Sequence, residues 1–296
     1  MKNNCFSGII TALITPFPKN DKIDYDSFEK LLLYQLEARV SGIVLFGTTG
    51  EGISLKNHER KSLLLFAKNV LANKIPIIAG ISSPTTYKAI EQVEFYNKLG
   101  VKNLLITTPF YYKVTEEGVY KHFSKIVSSC ESSVIIYNVP SRTNCDISLM
   151  PQILKELEKE SKIIGIKHAG MSLENSLELL NKTSLPLFCG NDKYLYELIK
   201  NGYKGAISVF SNVLPQKAQE LFNLITLKRW HECETILKDI DSLLIALENE
   251  PNPIPIKYAT TLLTKSESYF RLPLTKASKS TKDKINNFFN GYSVKL

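Results

Sequence analysis

Lys167 closes an apolar run, Ile163-Ile164-Gly165-Ile166, and is followed by His168-Ala169-Gly170. Ending a buried strand on an ammonium is costly, because low dielectric disfavours the charged form. A desolvated lysine becomes an amine at neutral pH, and an amine attacks a carbonyl carbon to form a Schiff base. The same pattern also suits a strand-end lysine that snorkels into water. Other reactive types recur at the ends of apolar runs. Gly47-Thr48-Thr49-Gly50-Glu51 offers two hydroxyls and backbone amides, an anion nest or a plain turn. Thr107-Thr108-Pro109-Phe110-Tyr111-Tyr112 brings two phenols. Tyr137-Asn138-Val139-Pro140-Ser141-Arg142-Thr143 adds a phenol and a guanidinium, and Gly190-Asn191-Asp192 ends a further run. Singly, Tyr137 also reads as a core tyrosine and Arg142 as a surface charge. Jointly, an amine nucleophile, phenols that shuttle protons and donors suited to a carboxylate are the equipment for carbonyl chemistry on a 2-oxo acid. No His/Asp/Glu set has metal-ligand spacing, so no metal is expected, and no serine has a partnered histidine. His58, His122 and His231 fall in helical surface patterns and are read as uninvolved.

These residues need a scaffold that brings strand ends together. Runs rich in Val and Ile mark strands at Ile9–Thr15, Gly42–Gly47, Ile75–Gly80, Asn103–Thr107, Val134–Asn138, Ile163–Lys167, Leu185–Gly190 and Gly205–Val209. Helical periods lie between them, near 26–38, 57–72, 85–99, 116–129, 149–159, 173–181 and 193–201. Strands buried on both faces and alternating with helices predict a closed α/β (β/α)₈ TIM barrel, whose chemistry sits at the carboxyl ends of the strands. A doubly wound open sheet is disfavoured, because no glycine-rich phosphate loop opens the first helix. From about Pro215 only helical periods occur, at 215–226, 229–249, 254–264 and 279–290. The division expected is a catalytic barrel over 1–226 and a small helical domain over 227–296.

The chain has 296 residues, 44% hydrophobic and 22% charged, the composition of a globular protein. Its formal charge of +8 comes from lysines spread over helix faces, so nucleic acid is not an expected partner. Five cysteines (Cys5, Cys130, Cys145, Cys189, Cys233) without metal spacing suit a reducing cytoplasm. The apolar stretch Gly8–Thr15 runs into Pro16 and Pro18 and reads as the first strand rather than a signal sequence. No apolar segment approaches membrane-spanning length, so no membrane association is expected.

Several motifs carry a family resemblance over nearly the whole length. They run from Thr11-Ala12-Leu13-Ile14-Thr15-Pro16 through GTTGE at 47–51, Tyr137–Thr143 and Gly165-Ile166-Lys167 to Asn252-Pro253-Ile254-Pro255-Ile256-Lys257 and Arg271-Leu272-Pro273-Leu274. In these the chain resembles the dihydrodipicolinate synthase family, within the pyruvate-dependent N-acetylneuraminate lyase superfamily. The resemblance implies that Lys167 forms a Schiff base with pyruvate and that Thr48 and Thr49 hold the pyruvate carboxylate. It implies a proton relay in which Thr48 links Tyr137 to Tyr111, the latter reaching in from a neighbouring subunit. Arg142 would receive the carboxylate of L-aspartate 4-semialdehyde, and backbone groups at Gly190 and Ile207 would line the pocket. The implied enzyme is a lyase of diaminopimelate and lysine biosynthesis, a homotetramer built as a dimer of dimers, with no metal or diffusible cofactor.

The chain departs from the family pattern at His168, where a Glu is usual, and at Gly170, where a Ser or Thr is usual. Tyr112 and Val114 replace a usual Asn and Pro. Feedback-regulated members hold lysine in an interface cleft; the matching positions here read Gly52, Ile53, Asn57, Arg60, Pro84, Lys88 and Phe110. Lys88 stands where a carboxylate would pair the ligand's amine, and Arg60 adds a second positive charge, so inhibition by lysine is not expected. Competing readings are another pyruvate-dependent enzyme, an N-acetylneuraminate lyase or a 2-keto-3-deoxy sugar-acid aldolase, and a non-catalytic barrel. Arg142 favours a small substrate that carries its own carboxylate.

Overall fold

The structure is a computed structural model and describes residues 6–19, 21–267 and 269–292; Cys5 lies outside them. Eight strands hydrogen-bond in chain order as a closed parallel barrel, with helices between them and further helices after the eighth strand. The expected fold class is therefore the observed one. Contacts gather the chain into two compact units. The first comprises the described residues up to Gly8 and Ile77–Ile207; the second comprises Ile9–Pro76 and the described residues from Ser208 on, so the first residue of the first strand and the last of the eighth fall across the division.

The first unit runs β3 (Ile77–Ile81), α3 (Thr86–Lys98), β4 (Asn103–Thr107), α4 (Glu116–Ser129), β5 (Ser133–Asn138), α5 (Pro140–Thr143), α6 (Pro151–Glu158), β6 (Ile163–His168), α7 (Leu173–Glu178), β7 (Leu187–Cys189), α8 (Leu195–Lys200) and β8 (Gly205–Ser208). Val134, Ile135, Ile136 and Ile166 are fully buried, as strands covered on both faces require. Thr85, Thr115 and Ser172 cap α3, α4 and α7, each accepting a first-turn N–H that the helix itself leaves unpaired. The second unit holds β1 (Gly8–Ala12), α1 (Tyr25–Glu37), β2 (Gly42–Leu45), α2 (Asn57–Leu71), α9 (Pro215–Thr226), α10 (Trp230–Leu247), α11 (Ile254–Thr264) and α12 (Lys279–Asn290). No helix among the described residues is long and apolar enough to cross a membrane.

Several strands end sooner than their apolar runs. β1 stops at Ala12 and β2 at Leu45, yet Leu13, Ile14 and Phe46 are buried too. Loop residues here leave the ladder without leaving the core, so hydrophobicity overstates strand length. The helix expected at 149–159 is a 3-10 turn, Ile147–Leu149, followed by α6, which starts with Pro151 in the one place a helix tolerates proline. Pro140 opens α5 in the same way, a helical turn where the sequence reading placed a strand-end loop.

Candidate active site

Register in the first unit sets the central group. β4, β5 and β6 pair so that Thr107, Tyr137 and Lys167 lie in one row, and residues in one row of a parallel ladder share a face. Lys167 is 4% exposed and its Nζ stands 4.2 Å from the centroid of the Tyr137 ring. Tyr137 is buried, and Thr107 is a buried hydroxyl without a hydrogen-bond partner among the described residues. Ile207 is buried on β8, and Gly190 follows β7 with its N–H committed to the His168 carbonyl at 2.8 Å. The structure brings the predicted Lys167 and Tyr137 together; the row they share and the Thr107 hydroxyl are additions from the register.

The loops after β4 and β5 carry the more exposed groups. Tyr111 is 88% exposed, has a left-handed φ of 76° and packs edge-on against Tyr112. A tyrosine rarely adopts that backbone conformation, and strain of this kind recurs at functional loops. Arg142 lies exposed on α5. Thr143 fixes this turn: Thr108 donates to its hydroxyl at 2.9 Å, and the Thr143 hydroxyl lies 3.1 Å from the carbonyls of Val139 and of Cys145.

The second unit builds the Thr48–Thr49 loop after β2. Glu51 N–H donates to the Thr48 carbonyl and Gly52 N–H to that of Gly47, so the motif closes on itself. A Cβ at Gly52 would lie 1.8 Å from the Phe46 carbonyl oxygen, which only glycine avoids. Thr49 is buried and its hydroxyl accepts from Asn252 Nδ2 at 3.1 Å. Lys257 Nζ bonds Glu51 Oε1 with both side chains buried, and the ammonium also lies over Phe17. Burial pushes Lys257 down to about 8 and the Glu51 carboxyl up, each toward its neutral form. The NPIPxK segment thus reaches back to GTTGE through two side chains, a role the sequence reading did not assign. Its signal was a lysine within the apolar string Ile254-Pro255-Ile256-Lys257 and a glutamate closing a glycine-threonine loop.

Arg271 donates to Glu59 at 2.5 Å, to Asp21 at 2.8 Å and to the Ser54 carbonyl at 2.9 Å. That guanidinium holds Glu59 down at about 2. Arg60, which the sequence reading placed in a ligand cleft, is buried, and its guanidinium donates to the Gly52 carbonyl at 2.6 Å. It braces the turn after the motif.

One expectation is corrected. His122 is not on a surface: it is 5% exposed, with Nδ1 2.9 Å from the Thr86 hydroxyl, and burial lowers its pKa to about 4. His58 and His231 are exposed. Cys130, Cys145, Cys189 and Cys233 are buried thiols, and burial raises Cys130 and Cys145 to about 11, which keeps them un-ionised. Among the described residues no three His, Cys, Asp or Glu side chains could hold a metal ion.

A closed parallel barrel with a buried strand-end lysine against a tyrosine belongs to the class of (β/α)₈-barrel enzymes. Residues 5–290 match the model of the dihydrodipicolinate synthetase family, and the chain belongs to that family. It is an enzyme, a lyase. It is 39% identical to a 4-hydroxy-tetrahydrodipicolinate synthase of Rickettsia bellii, over 99% of this chain and 100% of the relative. The fold superposes on the dihydrodipicolinate synthase of Thermotoga maritima with a TM-score of 0.92 at 32% identity, covering 97% of this chain and 99% of that one. It also matches a chloride-inhibited dihydrodipicolinate synthase of Acinetobacter baumannii solved with pyruvate, with a TM-score of 0.91 at 32% identity over 96% and 98% of the two chains.

Proposed function

We propose that this enzyme condenses pyruvate with L-aspartate 4-semialdehyde to give 4-hydroxy-tetrahydrodipicolinate, on the path to diaminopimelate and lysine. The observation that carries the reading is the buried Lys167 amine against the Tyr137 ring in a chain of this family. Lys167 attacks the keto carbon of pyruvate and water leaves as the imine forms. Loss of a methyl proton gives an enamine, whose carbon adds to the aldehyde of the second substrate. Attack of that substrate's amino group on the imine carbon closes the ring and frees Lys167. Tyr137 carries protons in these steps, with Thr48 and the neighbouring subunit's tyrosine, equivalent to Tyr111, as relay partners. Thr48 and Thr49 hold the pyruvate carboxylate, Arg142 that of the semialdehyde, and backbone groups at Gly190 and Ile207 line the pocket.

The assembly proposed is a cytoplasmic homotetramer, a dimer of dimers, in which residues 1–226 form the catalytic barrel and 227–296 a helical domain. Tyr111, exposed and conformationally strained, suits a residue completed by a neighbour. No diffusible cofactor takes part. Lysine does not inhibit, because Lys88 opposes a cationic ligand.

Steady-state assays test the reading. Turnover of pyruvate with L-aspartate 4-semialdehyde, unchanged by millimolar lysine, is expected. Turnover of N-acetylneuraminate or a keto-deoxy sugar acid instead would overturn the substrate assignment. Arg142→Ala should lower use of the semialdehyde roughly ten- to a hundredfold while sparing imine formation with pyruvate.

A further inference from the structure

His168 and Gly170, the two departures beside Lys167, are coupled in space. His168 pairs in register with Asn138, one position beyond the Tyr137–Lys167 pair, and so faces the opposite side of the sheet. Both residues are buried. The Asn138 amide is fully committed. Its Oδ1 accepts from the Ile147 N–H at 3.2 Å; its Nδ2 donates to Asp146 Oδ1 at 2.7 Å and to His168 Nδ1 at 3.0 Å. An amide nitrogen only donates, so His168 accepts at Nδ1 and is the neutral ring with its proton on Nε2. Asp146 also receives the N–H and hydroxyl of Ser148, at 3.0 and 2.6 Å. Asn138 thus clasps both ends of the excursion 139–145, whose turn carries Arg142.

Gly170 makes the ring's position accessible. A Cβ there would lie 2.3 Å from His168 Nε2 and 2.6 Å from Ser176 Oγ, closer than real contacts allow. A side chain at 170 would displace the imidazole, and with it the acceptor that orients Asn138.

We propose that His168 is a positioning residue for the Arg142 turn, acting through Asn138, and that Gly170 is the space its ring requires. The two residues then work as one unit. The proposal rests on the reading above for what Arg142 binds.

The test uses His168→Leu, His168→Gln, Gly170→Ala and the double variant His168→Leu/Gly170→Ala in the full-length enzyme. Leucine removes the acceptor, and glutamine restores one. His168→Leu should lower kcat/KM for the aldehyde substrate about tenfold, the scale of one buried hydrogen bond. The pyruvate KM and borohydride labelling of Lys167 should not change. His168→Gln should recover most of the loss. Gly170→Ala should resemble His168→Leu, and the double variant should be no worse than either. Unchanged aldehyde kinetics, equal damage to the pyruvate step, a glutamine variant no better than leucine, or additive losses would overturn the proposal. If His168→Leu does not fold, His168→Gln and Gly170→Ala carry the comparison. If the wild type is not labelled by pyruvate, the functional reading fails by itself. The 168–170 coupling is then read from thermal midpoints, where additivity would overturn it.

Discussion

Among the described residues two lysines are buried, and their surroundings differ in kind. Lys257, in the second unit, meets a carboxylate, Glu51, and lies over Phe17. Lys167, in the first unit, meets the face of Tyr137, and among the described residues no carboxylate bonds it. A buried lysine with a carboxylate is committed to holding two segments together, since loss of either partner strands a charge. Lys167 instead has a phenol beside it, a group able to carry protons. A lysine held by a carboxylate thus stands against the lysine proposed as nucleophile, with different partners around each.

The largest expected effect breaks the nucleophile. Lys167→Ala should remove activity by roughly a thousandfold or more, since the covalent route is lost, while circular dichroism stays that of the wild type. Retained turnover would place the nucleophile elsewhere. The structural lysine should fail differently. Lys257→Met should destabilise the fold by about 3–5 kcal/mol, because Glu51 is left buried and unpaired. Replacing both partners with apolar residues of similar volume should recover most of that loss in a denaturant titration. A double variant as weak as the single one would show that the pair is not the cause.

Acid sharpens the contrast between buried groups that stay neutral and those that stay charged. Burial lowers His122 and His168 to about 4 from 6.5. Between those values the unfolded chain binds protons that the folded chain does not, so folding stability should fall as pH drops from 6.5 to 4. The loss is on the order of 3 kcal/mol for each histidine at most. Denaturant midpoints that stay flat across this window would contradict the burial of both rings. The smallest expected effect is at Asn252, which donates to Thr49. Asn252→Ala should raise the pyruvate KM about three- to tenfold, the cost of one hydrogen bond, with the thermal midpoint little changed.

Much of this was legible in the sequence for physical reasons. Strands buried on both faces produce the Val/Ile runs that gave all eight strands, and β4 matches its expected bounds. Residues of the right type at strand ends singled out Lys167, Tyr137 and the GTTGE loop as candidates, and the structure sets Lys167 beside Tyr137. The Asn252–Thr49 and Lys257–Glu51 contacts were not legible, since they join residues 203 and 206 positions apart and no local pattern encodes them. His122 could have been found. It falls in the buried stripe Val119, His122, Phe123, Ile126 on α4, the spacing of a core-facing helix. Reading histidine as polar hid a ring whose one bonded nitrogen meets Thr86. The link between His168 and Gly170 needed three dimensions, because its evidence is an atom that glycine lacks.

The difference between the two lysines is tested most directly by trapping. Incubation with pyruvate and borohydride reduces any imine to a stable secondary amine, and peptide mass mapping then locates it. The account predicts a single pyruvate-derived adduct on Lys167 and none on Lys257. An adduct on Lys257 or another lysine, or no adduct with an active enzyme, would contradict it.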